Sequence, residues 1–150
     1  MMPHKLAGMT PPTLKAAASY FALAFALGFV LGTLRVTVLV PALGELAAVM
    51  VELPLMLTAS WFICRRVVRH FVVPEAAGPR LTMGGVAFAL LMVVEFTLSV
   101  TAFGRTPGTY FASLATAAGL LGLAGQVVFG LWPWWQGRAD SDSRERRGRP

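Results

Sequence analysis

Four long apolar runs constrain this chain more than any other feature. Two carry no charge at all, Ala16 to Leu34 and Thr106 to Gly137; Leu46 to Cys64 and Leu81 to Gly104 carry one glutamate each, Glu52 and Glu95. Each run reaches the roughly 20 residues that a helix needs to cross the hydrocarbon of a bilayer. Composition agrees, since 56% hydrophobic and 13% charged residues is far from the average of soluble domains. The expected fold is all-α: a polytopic membrane protein, a bundle of four transmembrane helices over about 16–38, 43–64, 81–103 and 109–131. Residues 1–15 form a cytoplasmic lead with little structure. Residues 132–150 form an aromatic interface around Trp132, Trp134 and Trp135, followed by a disordered basic tail.

A net charge of +6 would suggest a nucleic-acid partner if the basic residues made a soluble patch. Here they flank apolar spans, so the partner they imply is the lipid bilayer and their message is topology. Lys5, Lys15, Arg65, Arg66, Arg69, Arg80, Arg138, Arg144, Arg146, Arg147 and Arg149 fall on one side, with Arg35 and Arg105 toward the other. That bias places both termini in the cytoplasm by the positive-inside rule. Cys64 stands alone, so no internal disulfide or cysteine zinc site is available, and His4 and His70 lie outside the spans. No cofactor or metal is therefore expected. Lys5 and Lys15 precede small residues at Ala22, Ala24 and Ala26, as in a cleavable signal, but only about six apolar residues separate Lys15 from that site. A signal core needs roughly 7–15, so the segment reads as a retained first helix.

Small residues mark the packing faces. Ala24, Gly28 and Gly32 recur every fourth residue, and Gly28 with Gly32 forms a GxxxG, which lets helix backbones approach closely in lipid. Packing within the chain is the first expectation for it, and a homo-oligomer or another membrane protein the alternative. In the last span Gly119 and Gly122 share a face with Ala112, Ala115, Gln126 and Gly130, an interhelical surface holding one amide. Pro41 and Gly44 should turn the chain after the first span. Pro54 should kink the second two residues after Glu52.

Ionisable groups at bilayer depth are costly and mark any functional site. Glu52 lies ~2 Å and Glu95 ~4–5 Å to the outer side of their span centres by the 1.5 Å helical rise, so they stand at matching depth. Glu45 shares a face with Glu52 at the outer edge, and Arg35 sits nearer the outer surface on the stripe continued from Ala24. An arginine stem is long enough to carry its charge inward to Glu52 or Glu95, or outward to water and lipid headgroups; the inward pairing is the first expectation, because the stripe shared with Gly28 and Gly32 should face the bundle. The other acid is then protonated, or bonded to Ser99, Thr97 or a carbonyl freed by Pro54, or reached by water.

The run GFVLGTLRV, the proline and GELAA that follow, and ELPLMLTASW resemble an uncharacterised family of small bacterial four-helix inner-membrane proteins; MGGVAFALLMVVEF is similar to that family's next segment. The resemblance covers roughly half the chain and implies a bacterial inner-membrane location, with no activity or site assignment. Two functions remain. The first is a bundle without enzymatic activity, its polar core of Arg35, Glu52 and Glu95 supporting the fold or a membrane partner. The alternative is a proton-coupled small transporter or channel using Glu52 and Glu95, its ion or small-molecule substrate unassigned. No histidine cluster, cysteine pair or nucleophile with a base falls in the spans to support an enzyme.

Overall fold

The structure is a computed structural model that describes residues 9–148. Four helices are long and apolar enough to span a membrane: α1 (Pro11–Leu43), α2 (Glu45–His70), α3 (Ala77–Thr101) and α5 (Ala117–Arg147), with a short α4 (Pro107–Leu114) before the last. No strand occurs among the described residues. The chain is thus the four-helix membrane bundle that its apolar runs predict. Around the bundle the order is α1, α2, α5, α3, each packed on its two neighbours. Helices α2 and α3, consecutive in the chain, therefore sit on a diagonal.

Helix boundaries follow local chemistry that hydropathy does not see. Pro11 and Pro12 occupy the first turn of α1, where a missing N–H costs nothing, so the lead expected over 1–15 is already helical from Pro11. Its first eight residues lie outside the described part. Pro41 does not end the first span either. The helix widens into a π-helical stretch over Arg35–Leu39, in which the Val40 N–H reaches back five residues to the Arg35 carbonyl. The wider turn accommodates the ring and absent donor of Pro41. Gly44, at φ +83°, makes the turn.

Helix α2 runs unbroken through Pro54 and on past Cys64 to His70. The Thr58 hydroxyl donates to the Pro54 carbonyl at 2.7 Å. A left-handed helix end closes α2: Val73 N–H bonds Val68 O at 3.1 Å and Val72 N–H bonds Arg69 O at 3.4 Å, with Pro74 preventing continuation. Val72 holds the left-handed position, φ +50°, that glycine usually fills. Val67 and Val68, in the last turns of α2, are 4% and 6% exposed inside the bundle. Their helix continues inward rather than turning along the interface.

The fourth span departs most from expectation. It is two pieces: the Thr106 side chain caps α4 at Thr109 N–H, the chain breaks at Ala115 and Thr116, and the Thr116 side chain caps α5 at Gly119 N–H. Helix α5 then runs through Pro133 and the tryptophans to Arg147, so the described part of the tail expected to be disordered is helical; residues 149 and 150 lie outside. Arg144, Arg146 and Arg147 in its last turn suit the negative end of the helix dipole. Arg138 stacks on Trp134 at 4.9 Å from the ring centre, and Arg144 pairs with Glu75 at 2.9 Å.

Packing is dense at the basic end of the bundle and sparse at the other. Ala16, Ala17, Tyr20 and Ala24 of α1 meet Cys64, Val67 and Val68 of α2, Met83 and Ala87 of α3, and Phe129 of α5 in one buried cluster. Tyr20 crosses the diagonal, stacked on Phe129 at 4.3 Å and donating its hydroxyl to the Phe129 carbonyl at 2.9 Å. Beside it Trp132 Nε1 donates to Leu57 O at 3.2 Å and Gln136 Nε2 to Trp61 O at 2.9 Å, tying α5 to α2. The closest approach of α3 and α5 is at Gly84 and Gly130, of which Gly130 lies on the small-residue face expected in the last span. A methyl group at Gly84 would fall on the Gly130 carbonyl, and one at Gly125 on the Leu53 side chain. Of the other expected packing glycines, Gly28 meets Met56 of α2, Gly119 meets the main chain of Ser113 and Leu114 in α4, and Gly32 and Gly122 face open space.

Candidate functional site

In the half of the bundle away from the basic end, the polar residues gather into two pairs. Arg35, at the start of the π-helical stretch on α1, brings Nε to 2.6 Å from Glu52 Oε2 on α2. The contact is a Coulombic one, since the N–H is not aligned on the oxygen. Both side chains are mostly covered, at 28% and 17% exposed. On the opposite side of the ring Gln126 Nε2 of α5 donates to Glu95 Oε2 of α3 at 2.6 Å. Each pair therefore joins two neighbouring helices.

The pairs lie at one level. Leu53, next to Glu52, packs on Gly125, next to Gln126, and so ties the α2 side of one pair to the α5 side of the other. Sequence reasoning placed Arg35 against one of the two acids, and it meets Glu52. Of the partners expected for the other acid, Ser99, Thr97 or a carbonyl freed by Pro54, none bonds Glu95 among the described residues; its partner is Gln126. Ser99 is buried one turn away, where its main-chain carbonyl accepts from Arg105 N–H at 3.0 Å. Glu45 is exposed in the first turn of α2, where its charge favours the helix dipole, and has no ion-pair partner among the described residues.

Two polar atoms near the second pair have no partner among the described residues. These are the Gln126 amide oxygen and the Tyr110 hydroxyl, Tyr110 being 7% exposed and packed edge-on against Phe96. The arrangement suits a carboxyl in either protonation state. A carboxylate accepts from the Gln126 amide nitrogen, a carboxylic acid donates to its oxygen, and rotation of the amide serves both.

Gln126 was legible as an amide on a small-residue face, although nothing in the sequence tied it to Glu95. Tyr20 and Arg80 carried no signal at all, because neither breaks the pattern around it. Among the described residues no three His, Cys, Asp or Glu side chains gather closely enough to hold a metal ion. Comparison with protein-family models, with curated proteins and with solved structures finds no match for this chain.

Proposed function

We propose that the protein is a bacterial inner-membrane helical bundle without enzymatic activity, both termini cytoplasmic, whose buried polar pairs hold together the loosely packed outer half. Kinship with the small four-helix inner-membrane family resembled by the stretch from Gly28 to Trp61 belongs to the same proposal. The observation that carries this reading is that both membrane acids are engaged across a helix boundary, Glu52 by Arg35 and Glu95 by Gln126. Apolar packing concentrates at the other end, so the outer half depends on polar contacts for its geometry. In lipid such contacts stabilise helix pairs by about 0.6–2 kcal/mol each. A bundle fixed in this way presents a constant outer surface to a membrane partner.

A second reading, proton-coupled transport or conduction through Glu95, is favoured by one specific feature. Glu95 has an amide and not a cation as its direct partner, beside a buried hydroxyl that has no partner among the described residues. The two readings separate in a proton-flux assay on purified protein in liposomes, comparing the native chain with Glu52→Gln and Glu95→Gln. The structural reading expects no flux above that of protein-free vesicles. Flux in the native chain that disappears in either variant would replace it with the transport reading.

A further inference from the structure

The basic end of the bundle holds a feature that the polar pairs do not explain. Arg80, in the first turns of α3, is 3% exposed. Its Nε donates to Pro74 O at 2.9 Å and its Nη2 to Val73 O at 3.2 Å, while Nη1 has no partner among the described residues. Both acceptors are neutral carbonyls, and no carboxylate among the described residues forms an ion pair with it. A buried guanidinium that makes no direct ion pair is expensive. Its place aggravates the cost: the start of a helix carries positive partial charge, and α3 has no acidic residue in its first turn.

Arg80 lines an open cavity of about 430 Å³ between the end of α2 and the last turns of α5. That volume is within the ~300–1,000 Å³ of small-molecule sites. Arg69, Arg144 and Arg147 line it as well, against Glu75 and Asp140, so the lining carries four positive charges and two negative ones. Glu75 is already engaged by Arg144 at 2.9 Å. The cavity thus combines a buried, incompletely partnered cation with exposed arginines around it, at the level where the apolar spans end. Arginine forks suit phosphate oxygens, which accept several N–H bonds at once.

We propose that this cavity binds a phosphate-bearing anion, either the headgroup of an anionic phospholipid or a soluble phosphate. Arg80 supplies the fixed charge at its base and Arg69 and Arg147 the outer contacts. Basic pockets between membrane helices bind lipid headgroups by the same chemistry.

The test uses the full chain and leaves Arg80 in place, because Arg80 also anchors the loop after α2. The side chains of Arg69 and Arg147 are exposed and make no hydrogen bond or ion pair among the described residues, so R69Q/R147Q leaves the thermal midpoint within error of the native value. One arm titrates inorganic phosphate by calorimetry onto protein in phosphatidylcholine nanodiscs. The other measures, by native mass spectrometry, the lipid retained after reconstitution in phosphatidylcholine vesicles doped with phosphatidylglycerol. Each arginine near an anionic group contributes roughly fivefold, so the double variant should weaken binding about twenty-fivefold. Saturable phosphate binding lost in the variant identifies a soluble ligand, and selective retention of phosphatidylglycerol lost in the variant identifies a lipid. Binding undiminished in the variant, or no binding in either arm, overturns the proposal.

Discussion

Breaking the Arg35–Glu52 pair one partner at a time should cost far more than removing both. Charges about 4 Å apart attract by about 4 kcal/mol at an effective dielectric constant near 20. The contact is 2.6 Å between Nε and Oε2, with the side chains 28% and 17% exposed. Each single change, Arg35→Met or Glu52→Gln, removes that attraction and leaves a charge in a poorly solvated place, so each should destabilise by about 2–4 kcal/mol. The double variant leaves no unpaired charge and should fall within about 1 kcal/mol of the native chain, giving a coupling of at least ~2 kcal/mol. The measurement is reversible unfolding in mixed micelles titrated with sodium dodecyl sulfate, run as a full double-mutant cycle. A coupling under about 0.5 kcal/mol would show that the pair does not hold α1 to α2. The outer half would then not be fixed by polar contacts. A parallel cycle of Arg35→Met with Glu95→Gln should show a smaller coupling, because the pairing contact is with Glu52.

Other substitutions probe the packing directly. Gly84→Ala places a methyl on the Gly130 carbonyl and should destabilise by about 1–3 kcal/mol through forced separation of α3 and α5. Gly32→Ala meets nothing and should be neutral or stabilising by up to about 1 kcal/mol from helix propensity, and the same unfolding assay distinguishes the two. Tyr20→Phe removes the hydroxyl bonded to Phe129 O at a cost of about 1 kcal/mol. Val72→Gly relieves a β-branched residue held at φ +50° and should raise stability by about 1 kcal/mol. A cysteine placed at Thr106 should resist a membrane-impermeant thiol reagent applied from the cytoplasmic side. Its labelling from that side would overturn the proposed orientation.

Hydropathy by itself determined the architecture. Four runs of bilayer-spanning length admit little but a helical membrane bundle, because hydrocarbon offers backbone N–H and C=O groups no partners outside a helix. Burial cost alone singled out Arg35, Glu52 and Glu95, since charged residues stand out against such a background. Helix ends were less legible, because they rest on short-range chemistry: prolines in the first turn of α1, threonine caps around Thr116, and a left-handed residue at Val72. Partner choice was legible least of all. Helical spacing assigns Gly32 and Gly122 to small-residue faces, but only the ring order α1, α2, α5, α3 decides which glycines meet a neighbour, Gly84 and Gly125 among them. The same order gives Glu95 to Gln126 and Arg35 to Glu52. It also draws Arg80 out of what reads as an exposed basic connection, because a chain crossing the diagonal from α2 to α3 must bury the side chain that holds its loop.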